Sequence, residues 1–115
     1  MAGTVENYRH IVKQLLMTYS QIPYVHDDLS DETIFDDQSG RYLLVTMGWQ
    51  GQKRVNTIVL HLDIRDEKVW IQCNNTDQDI AQELVESGIA KQDIVVPLSA
   101  KSSTGPEEAS VLAAV

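Results

Sequence analysis

Apolar residues recur at helical spacing in two parts of this sequence. Residues 4–21 carry an apolar residue every three or four positions, which predicts an amphipathic helix with one stripe against a core. Ile22-Pro23 ends this helix, because proline disfavours the helical conformation of the residue before it and cannot continue the helical hydrogen bonds. A shorter stripe over residues 80–85 predicts a second helix, which Gly88 terminates.

Between the two helices the spacing changes to the alternation typical of strands. Short turns rich in Gly, Asp, Ser and Gln separate the alternating segments, so we predict a four-stranded antiparallel meander. Its strands are expected near residues 33–35, 41–50, 53–64 and 68–73. The acidic residues 24–32 are expected to form an irregular loop, and residues 94–96 a short extended segment after the second helix.

Together these elements predict an α+β fold of two layers, in which two helices pack on one face of the four-stranded meander. The length of 115 residues, 43% of them hydrophobic, suits a single domain with one core. We place that domain at residues 1–97. After Pro97 the sequence turns to Ser, Ala, Gly, Pro and Glu without periodicity, which predicts a flexible C-terminal tail over residues 98–115.

Strict alternation also assigns side chains to the two faces of the sheet. Two-residue turns at residues 51–52 and 66–67 set the register, and they pair Trp49 with Arg54 and Asp63 with Trp70. The face expected to receive the helices carries Leu43, Val45, Met47, Ile58, Leu60, Leu62, Ile64, Val69, Ile71 and Cys73. The opposite face carries Tyr42, Leu44, Thr46, Val55, Thr57, Val59, His61, Asp63, Trp70 and Gln72.

The opposite face has no cover in a two-layer fold, although it is too apolar to be fully solvated. Large exposed apolar patches usually mark interaction surfaces, so we expect self-association or a protein partner there. The alternative is that the C-terminal tail folds over this face. The candidate interface residues are Tyr42, Leu44, Val59, His61, Asp63, Trp70 and Gln72.

The two tryptophans have different predicted roles. Trp70 is expected to anchor an interface on the uncovered face, since tryptophan is enriched at binding hot spots. Trp49 is expected to pack at the rim of the helix-covered face, stacked on the guanidinium of Arg54. Gly51 is expected to serve the backbone of the turn that joins their strands.

The balance of charge bears on several classes of function. Nine Lys and Arg against 17 Asp and Glu give a net charge of −8, which repels a phosphate backbone, so direct nucleic-acid binding is not expected. No apolar run reaches the roughly 18 residues that a membrane span needs, and no basic-then-apolar leader is present, so we expect a cytoplasmic protein without membrane contact. The single cysteine, Cys73, is expected to be a buried small hydrophobe.

A catalytic or metal-binding role has less support. His61 and Asp63 point the same way from one strand, as a general base and its orienting carboxylate do, but no nucleophile is identifiable. Asp66, a turn residue, is not placed beside them to complete a metal site. We therefore predict no catalytic residue, metal or cofactor. A small hydrolase or nuclease that uses His61 and Asp63 is the alternative.

Several segments, in fixed order, resemble the XisI family. The strands contribute GWQGQKRV at residues 48–55, HLDI at 61–64 and KVWIQ at 68–72. The helices and the turn that follows contribute residues 8–12, 80–85, 88–89 and 91–95, so that the resemblance covers about residues 5–96. Ala90 stands where the family commonly has proline, and the segment after Pro97 departs from the family pattern.

Members of this cyanobacterial family are described as controlling factors for excision of the fdxN DNA element, acting with the partner protein XisH alongside a site-specific recombinase. The resemblance therefore implies a XisI-like fold and a non-enzymatic regulatory protein. It also implies that the protein acts through contacts with a XisH-like partner, with itself as a homo-oligomer, or with both.

Overall fold

A computed structural model describes residues 2–23, 28–97 and 110–111 of the chain. Its elements are α1 (Ala2–Ser20), β1 (Asp28–Asp36), β2 (Arg41–Gln50), β3 (Lys53–Arg65), β4 (Lys68–Asn74), α2 (Ile80–Glu86), a 3-10 turn (Lys91–Asp93), β5 (Ile94–Val96) and β6 (Ser110–Val111). All six strands form one sheet in chain order, and the predicted α+β class is confirmed. No helix in the described ranges is long and apolar enough to cross a membrane.

The first four strands form the predicted antiparallel meander, but β1 is longer than expected. It begins at Asp28, and each of its nine residues pairs with β2, so the second half of the segment predicted as a loop is strand. The half-buried residues alternate with exposed ones and are Leu29, Asp31, Thr33 and Phe35. Burial of one face is enough for an edge strand, and acidic residues on both faces hid the pattern. Residues 24–27 lie outside the described ranges.

Two short strands extend the sheet beyond the predicted meander. The chain leaves β4, crosses through α2 and returns as β5, which pairs with β4 in parallel. β6 pairs with β5 in the antiparallel sense. The predicted tail over residues 98–115 lies outside the described residues except for Ser110–Val111.

The helices cover one face of the sheet, as predicted, and one core lies between the two layers. The helices α1 and α2 bury their apolar side chains against residues 42–44 of β2, 60–64 of β3 and 69–71 of β4. The members of this core that are less than 2% exposed are Val12, Leu16, Tyr42, Leu44, Leu60, Leu62, Val69, Ile80, Leu84, Ile89 and Ile94. Asp79 caps α2 by accepting a hydrogen bond from the backbone N–H of Gln82.

Two β-bulges decide which side chains meet the helices. Leu44 pairs with Leu60 but Val45 pairs with Ile58, so Val59 is an extra residue in β3. In β4, Gln72 is extra in the same way, because the pairing steps from His61–Cys73 to Leu62–Ile71. Beyond an extra residue, each side chain of the bulged strand lies on the face opposite to the one that strict alternation predicts relative to the partner strand.

The predicted faces of β2 are therefore wrong. Tyr42 and Leu44, expected on the uncovered face, are buried in the core at 0% and 1% exposure, and Val59 packs against that core. The even-numbered residues of β2 share the helix-covered face with Leu60 and Leu62. Strict alternation from the turn at residues 51–52 placed them on the other face, because it does not count the bulge between that turn and Leu60. The odd-numbered residues of β2, which were expected in the core, lie on the far side together with Ile58 and Cys73.

Candidate functional site

The sheet face turned away from the helices, which we call the open face, carries an apolar stripe along its second strand. We use "apolar stripe" for Leu43, Val45, Met47 and Trp49 of β2. Ile34 of β1 and Ile58 of β3 flank it, being the partners of Leu43 and Val45 in the sheet. Ile34 is 48% exposed, Trp49 45% and Ile58 40%. No described helix packs on this face.

Trp49 lies at one end of the stripe, on the open face and not at the rim of the helix-covered face. Its predicted pairing with Arg54 is confirmed, and the guanidinium lies 5.6 Å from the centroid of the indole ring. Gly51 occupies the turn with a φ of +65°, a conformation that glycine adopts without steric cost, so its predicted role is confirmed. The hairpin therefore presents a tryptophan with a cation stacked on it.

Near the other end of the face, Asp63 is a buried carboxylate held by two side chains. Its Oδ1 lies 2.7 Å from Nε2 of His61, and its Oδ2 accepts a hydrogen bond of 3.3 Å from the side-chain amide of Gln72. Asp63 is only 3% exposed, so these two contacts replace the water that a carboxylate needs. The prediction that His61 and Asp63 point the same way is confirmed.

The chemistry open to this pair is narrow. Among the described residues, His61 makes no hydrogen bond other than the one with Asp63. Cys73 lies opposite His61 in the sheet, and its Sγ accepts a contact of 3.4 Å from the side-chain amide of Asn75. No group of three His, Cys, Asp or Glu in the described ranges could hold a metal ion. The pair presents an oriented imidazole on the open face.

Trp70 lies beside this pair, opposite Asp63 as predicted. The guanidinium of Arg65 stands over its ring at 4.8 Å. The indole Nε1 is buried and has no hydrogen-bond partner among the described residues. A buried donor without an acceptor costs about 1–3 kcal/mol.

The structure thus brings together four of the predicted interface residues, His61, Asp63, Trp70 and Gln72, and separates the other three from them. The residues that sequence reasoning missed are those of the apolar stripe, with Ile34 and Ile58. One signal could have found them. Ile58, Val59 and Leu60 are three consecutive apolar residues, which interrupt the alternation of β3 where the bulge lies.

Tyr42 has a structural role. Its hydroxyl donates a hydrogen bond of 2.9 Å to Asp37 Oδ1 and accepts one of 3.0 Å from Nε of Arg9. Burial is the main cause that raises the pKa of Tyr42. These contacts attach α1 to the turn between β1 and β2.

A hollow of about 380 Å³ lies on the helix side, between α1 and α2. Tyr19 and Glu83 line it, and the tyrosine hydroxyl donates a hydrogen bond of 2.7 Å to the carboxylate. Burial, followed by this hydrogen bond, raises the pKa of Tyr19 to about 12. The hollow is separate from the open face, because it is lined by the two helices that cover the other side of the sheet.

Comparison with known proteins gives one consistent result. The profile of the family described as XisI protein matches residues 2–109. A XisI-like protein of known structure from Anabaena variabilis is 37% identical, with a TM-score of 0.73 over 78% of this chain and 83% of that one. The fdxN element excision controlling factor XisI from the same organism is 34% identical, with a TM-score of 0.66 over 79% of this chain and 83% of that one. No curated protein matches.

Proposed function

This chain belongs to the XisI family, and we propose that it is a non-enzymatic controlling factor that acts through protein–protein contacts at its open face. The observation that carries the proposal is the composition of that face. It combines exposed apolar side chains with both tryptophans of the chain, each stacked under an arginine. Tryptophan and arginine are among the residues enriched at binding hot spots.

The proposed partner is a XisH-like protein, a second copy of this chain, or both. The net charge of −8 opposes direct binding to DNA, so the protein would control a DNA transaction by binding other proteins. We place it in the cytoplasm, where such a transaction occurs.

The test is to mix the purified chain with a XisH-like protein from the same genome and to measure the complex by light scattering and calorimetry. Met47→Glu, in the apolar stripe, is expected to weaken binding at least tenfold, because docking would bury an unpaired carboxylate. Met17→Glu is the matched control, since Met17 is 38% exposed on α1. Equal binding by the two variants would count against the open face, and no complex with the unaltered chain would count against the partner.

A small hydrolase or nuclease that uses His61 and Asp63 is the second candidate, and the 2.7 Å contact between their side chains is the observation that favours it. His61→Ala separates the two functions. An enzyme would lose its activity in this variant without a change of assembly, whereas a binding protein would show changed affinity for its partner and no activity to lose.

A further inference from the structure

The exposed charges on the two sides of the apolar stripe are opposite. On β1, the residues whose side chains share the open face include Asp28, Glu32 and Asp36. All three are exposed. On the β3 side of the stripe, the charged residues of this face include Arg54 and Arg65, which are also exposed.

These arginines are positioned but not paired. Within the described ranges, neither Arg54 nor Arg65 makes an ion pair with a carboxylate, whereas Arg9 and Lys13 do. Arg54 lies over Trp49 and Arg65 over Trp70, so stacking limits the freedom of each guanidinium. A partner carboxylate would therefore meet cations whose side chains are already partly ordered, which lowers the entropy cost of binding.

A surface with exposed acids on one side of an apolar stripe and exposed arginines on the other can pair acids with arginines when it meets a second copy of itself. We propose that the open face forms a homodimer, with the twofold axis running along the stripe of β2. The proposal rests on the proposed function, because it names a second copy of this chain as an occupant of the same contact surface. Sheets that pack face to face lie about 10 Å apart, which leaves room for one layer of interleaved side chains from each copy.

The register of the sheet fixes which charges meet. Asp28 and Arg54 are both partners of Trp49, one on each side of it. Rotation about an axis along β2 places β1 of one copy over β3 of the other, so Asp28 of each copy faces Arg54 of the second. Asp36 and Asp63 are both partners of Arg41, so Asp36 faces a carboxylate that is buried and held by His61 and Gln72. In such an isologous interface every contact occurs twice.

The contacts between Asp28 and Arg54 favour this axis over its main competitor. An axis across the strands would place the acidic β1 of one copy over the acidic β1 of the other, and these like charges would repel. The overall charge of −8 repels the two copies at long range, but screening limits this effect beyond about 8 Å at physiological salt. Contacts within the interface therefore decide the orientation.

Two charge reversals test the proposal. Asp28→Arg and Arg54→Glu each replace an attraction by a repulsion at two equivalent contacts, so each variant alone is expected to dimerise roughly tenfold or more weakly than the unaltered chain. An equimolar mixture of the two variants restores both contacts and is expected to form a heterodimer. Light scattering at matched concentrations measures all three samples, and circular dichroism checks that each variant is folded.

The controls are Asp77→Arg and Lys91→Glu, which reverse exposed charges outside β1–β4 and are expected to leave dimerisation unchanged. A monomeric unaltered chain, or reversal variants that dimerise normally, or a mixture without recovery would each overturn the proposal. Binding to the XisH-like protein is measured separately, so a monomer that still binds it through Met47 overturns the homodimer alone.

A cross-link provides a test that does not depend on the charge variants. Residues on the twofold axis lie near their own copies, so Met47→Cys in a Cys73→Ser background is expected to form a covalent dimer with a bismaleimide spanning about 10 Å. Met17→Cys in the same background is the control and is expected to remain monomeric. Equal yields from the two variants would contradict the assigned face.

Discussion

The hydroxyl of Tyr8 donates a hydrogen bond of 2.6 Å to Oδ2 of Asp93, and the two residues are 85 positions apart in the chain. The same oxygen accepts a hydrogen bond of 3.3 Å from the backbone N–H of Ala90. Tyr8 is buried against the core, and this burial is the main cause that raises its pKa. The contact joins α1 to the turn that leads into β5.

Tyr8→Phe keeps the buried ring but removes both hydrogen bonds. We expect the free energy of unfolding to fall by about 1–2 kcal/mol, because Asp93 loses a donor and Ala90 loses an acceptor near the core. Urea denaturation measures the change. Ile22→Ala, at a side chain that is 57% exposed, is the control with little expected effect. A loss for Tyr8→Phe no larger than for this control would show that the contact adds nothing to stability.

Two adjacent leucines test the corrected faces of β2. Leu44 is 1% exposed in the core, so Leu44→Ala is expected to lower the free energy of unfolding by about 2–5 kcal/mol. Leu43 is half-buried on the open face, and Leu43→Ala is expected to cost clearly less in the monomer. Denaturation at low protein concentration compares them. A larger loss of unfolding free energy for Leu43→Ala than for Leu44→Ala would instead support the faces predicted from strict alternation.

This pair of leucines also shows which features of the fold could be predicted from the sequence. The helices, the turns and the pairings of Trp49 with Arg54 and Asp63 with Trp70 depend on local spacing, and all were predicted correctly. The faces of β2 were not, because alternation carries no information across an unrecognised bulge.

Two other differences have their own physical causes. The acidic residues of β1 obscured the alternation of apolar and polar positions, although the strand is held in the sheet by its pairing with β2. β5 joins the sheet only through a crossover from β4, a contact between distant parts of the chain that short-range patterns do not record. In the candidate site, His61, Asp63, Trp70 and Gln72 were found by alternation, whereas Ile58 and the apolar stripe were assigned to the wrong face.

The turn between β1 and β2 predicts a dependence of stability on pH. A hydrogen bond from Lys13 at 2.9 Å, and next one from Tyr42, lower the pKa of the Asp37 carboxyl below its ordinary value. A carboxyl whose pKa is lowered by folding stabilises the protein above its unfolded pKa of about 3.9, and this contribution is lost as the pH falls through the folded value.

Asp37→Asn should therefore lower the urea midpoint at pH 6, and the difference from the unaltered chain should shrink progressively below about pH 4. Urea denaturation at pH 6, 4 and 3 follows it. A difference that stays constant over this range would mean that the ionised carboxylate is not what stabilises the turn.

Two glycines in the β2–β3 hairpin should respond differently to alanine. At Gly48, φ is +137° and an added Cβ would lie 2.1 Å from the backbone oxygen of Asp28, so Gly48→Ala is expected to cost more than about 2 kcal/mol by separating β1 from β2. At Gly51 nothing lies within 4 Å, and only the φ of +65° opposes the change, at a cost of about 1 kcal/mol. Thermal denaturation compares the two, and equal losses would contradict the close approach of β1.

Val59 is the extra residue of β3 within its pairing with β2, and the strand exchanges its inner and outer sides as it passes through this position. Without this one residue, Ile58 and Leu60 would be consecutive in the strand, as their partners Val45 and Leu44 are, and the ladder would be regular. Strict alternation would then give the faces that the structure has, so the extra residue hides the true surface from the sequence pattern without changing that surface.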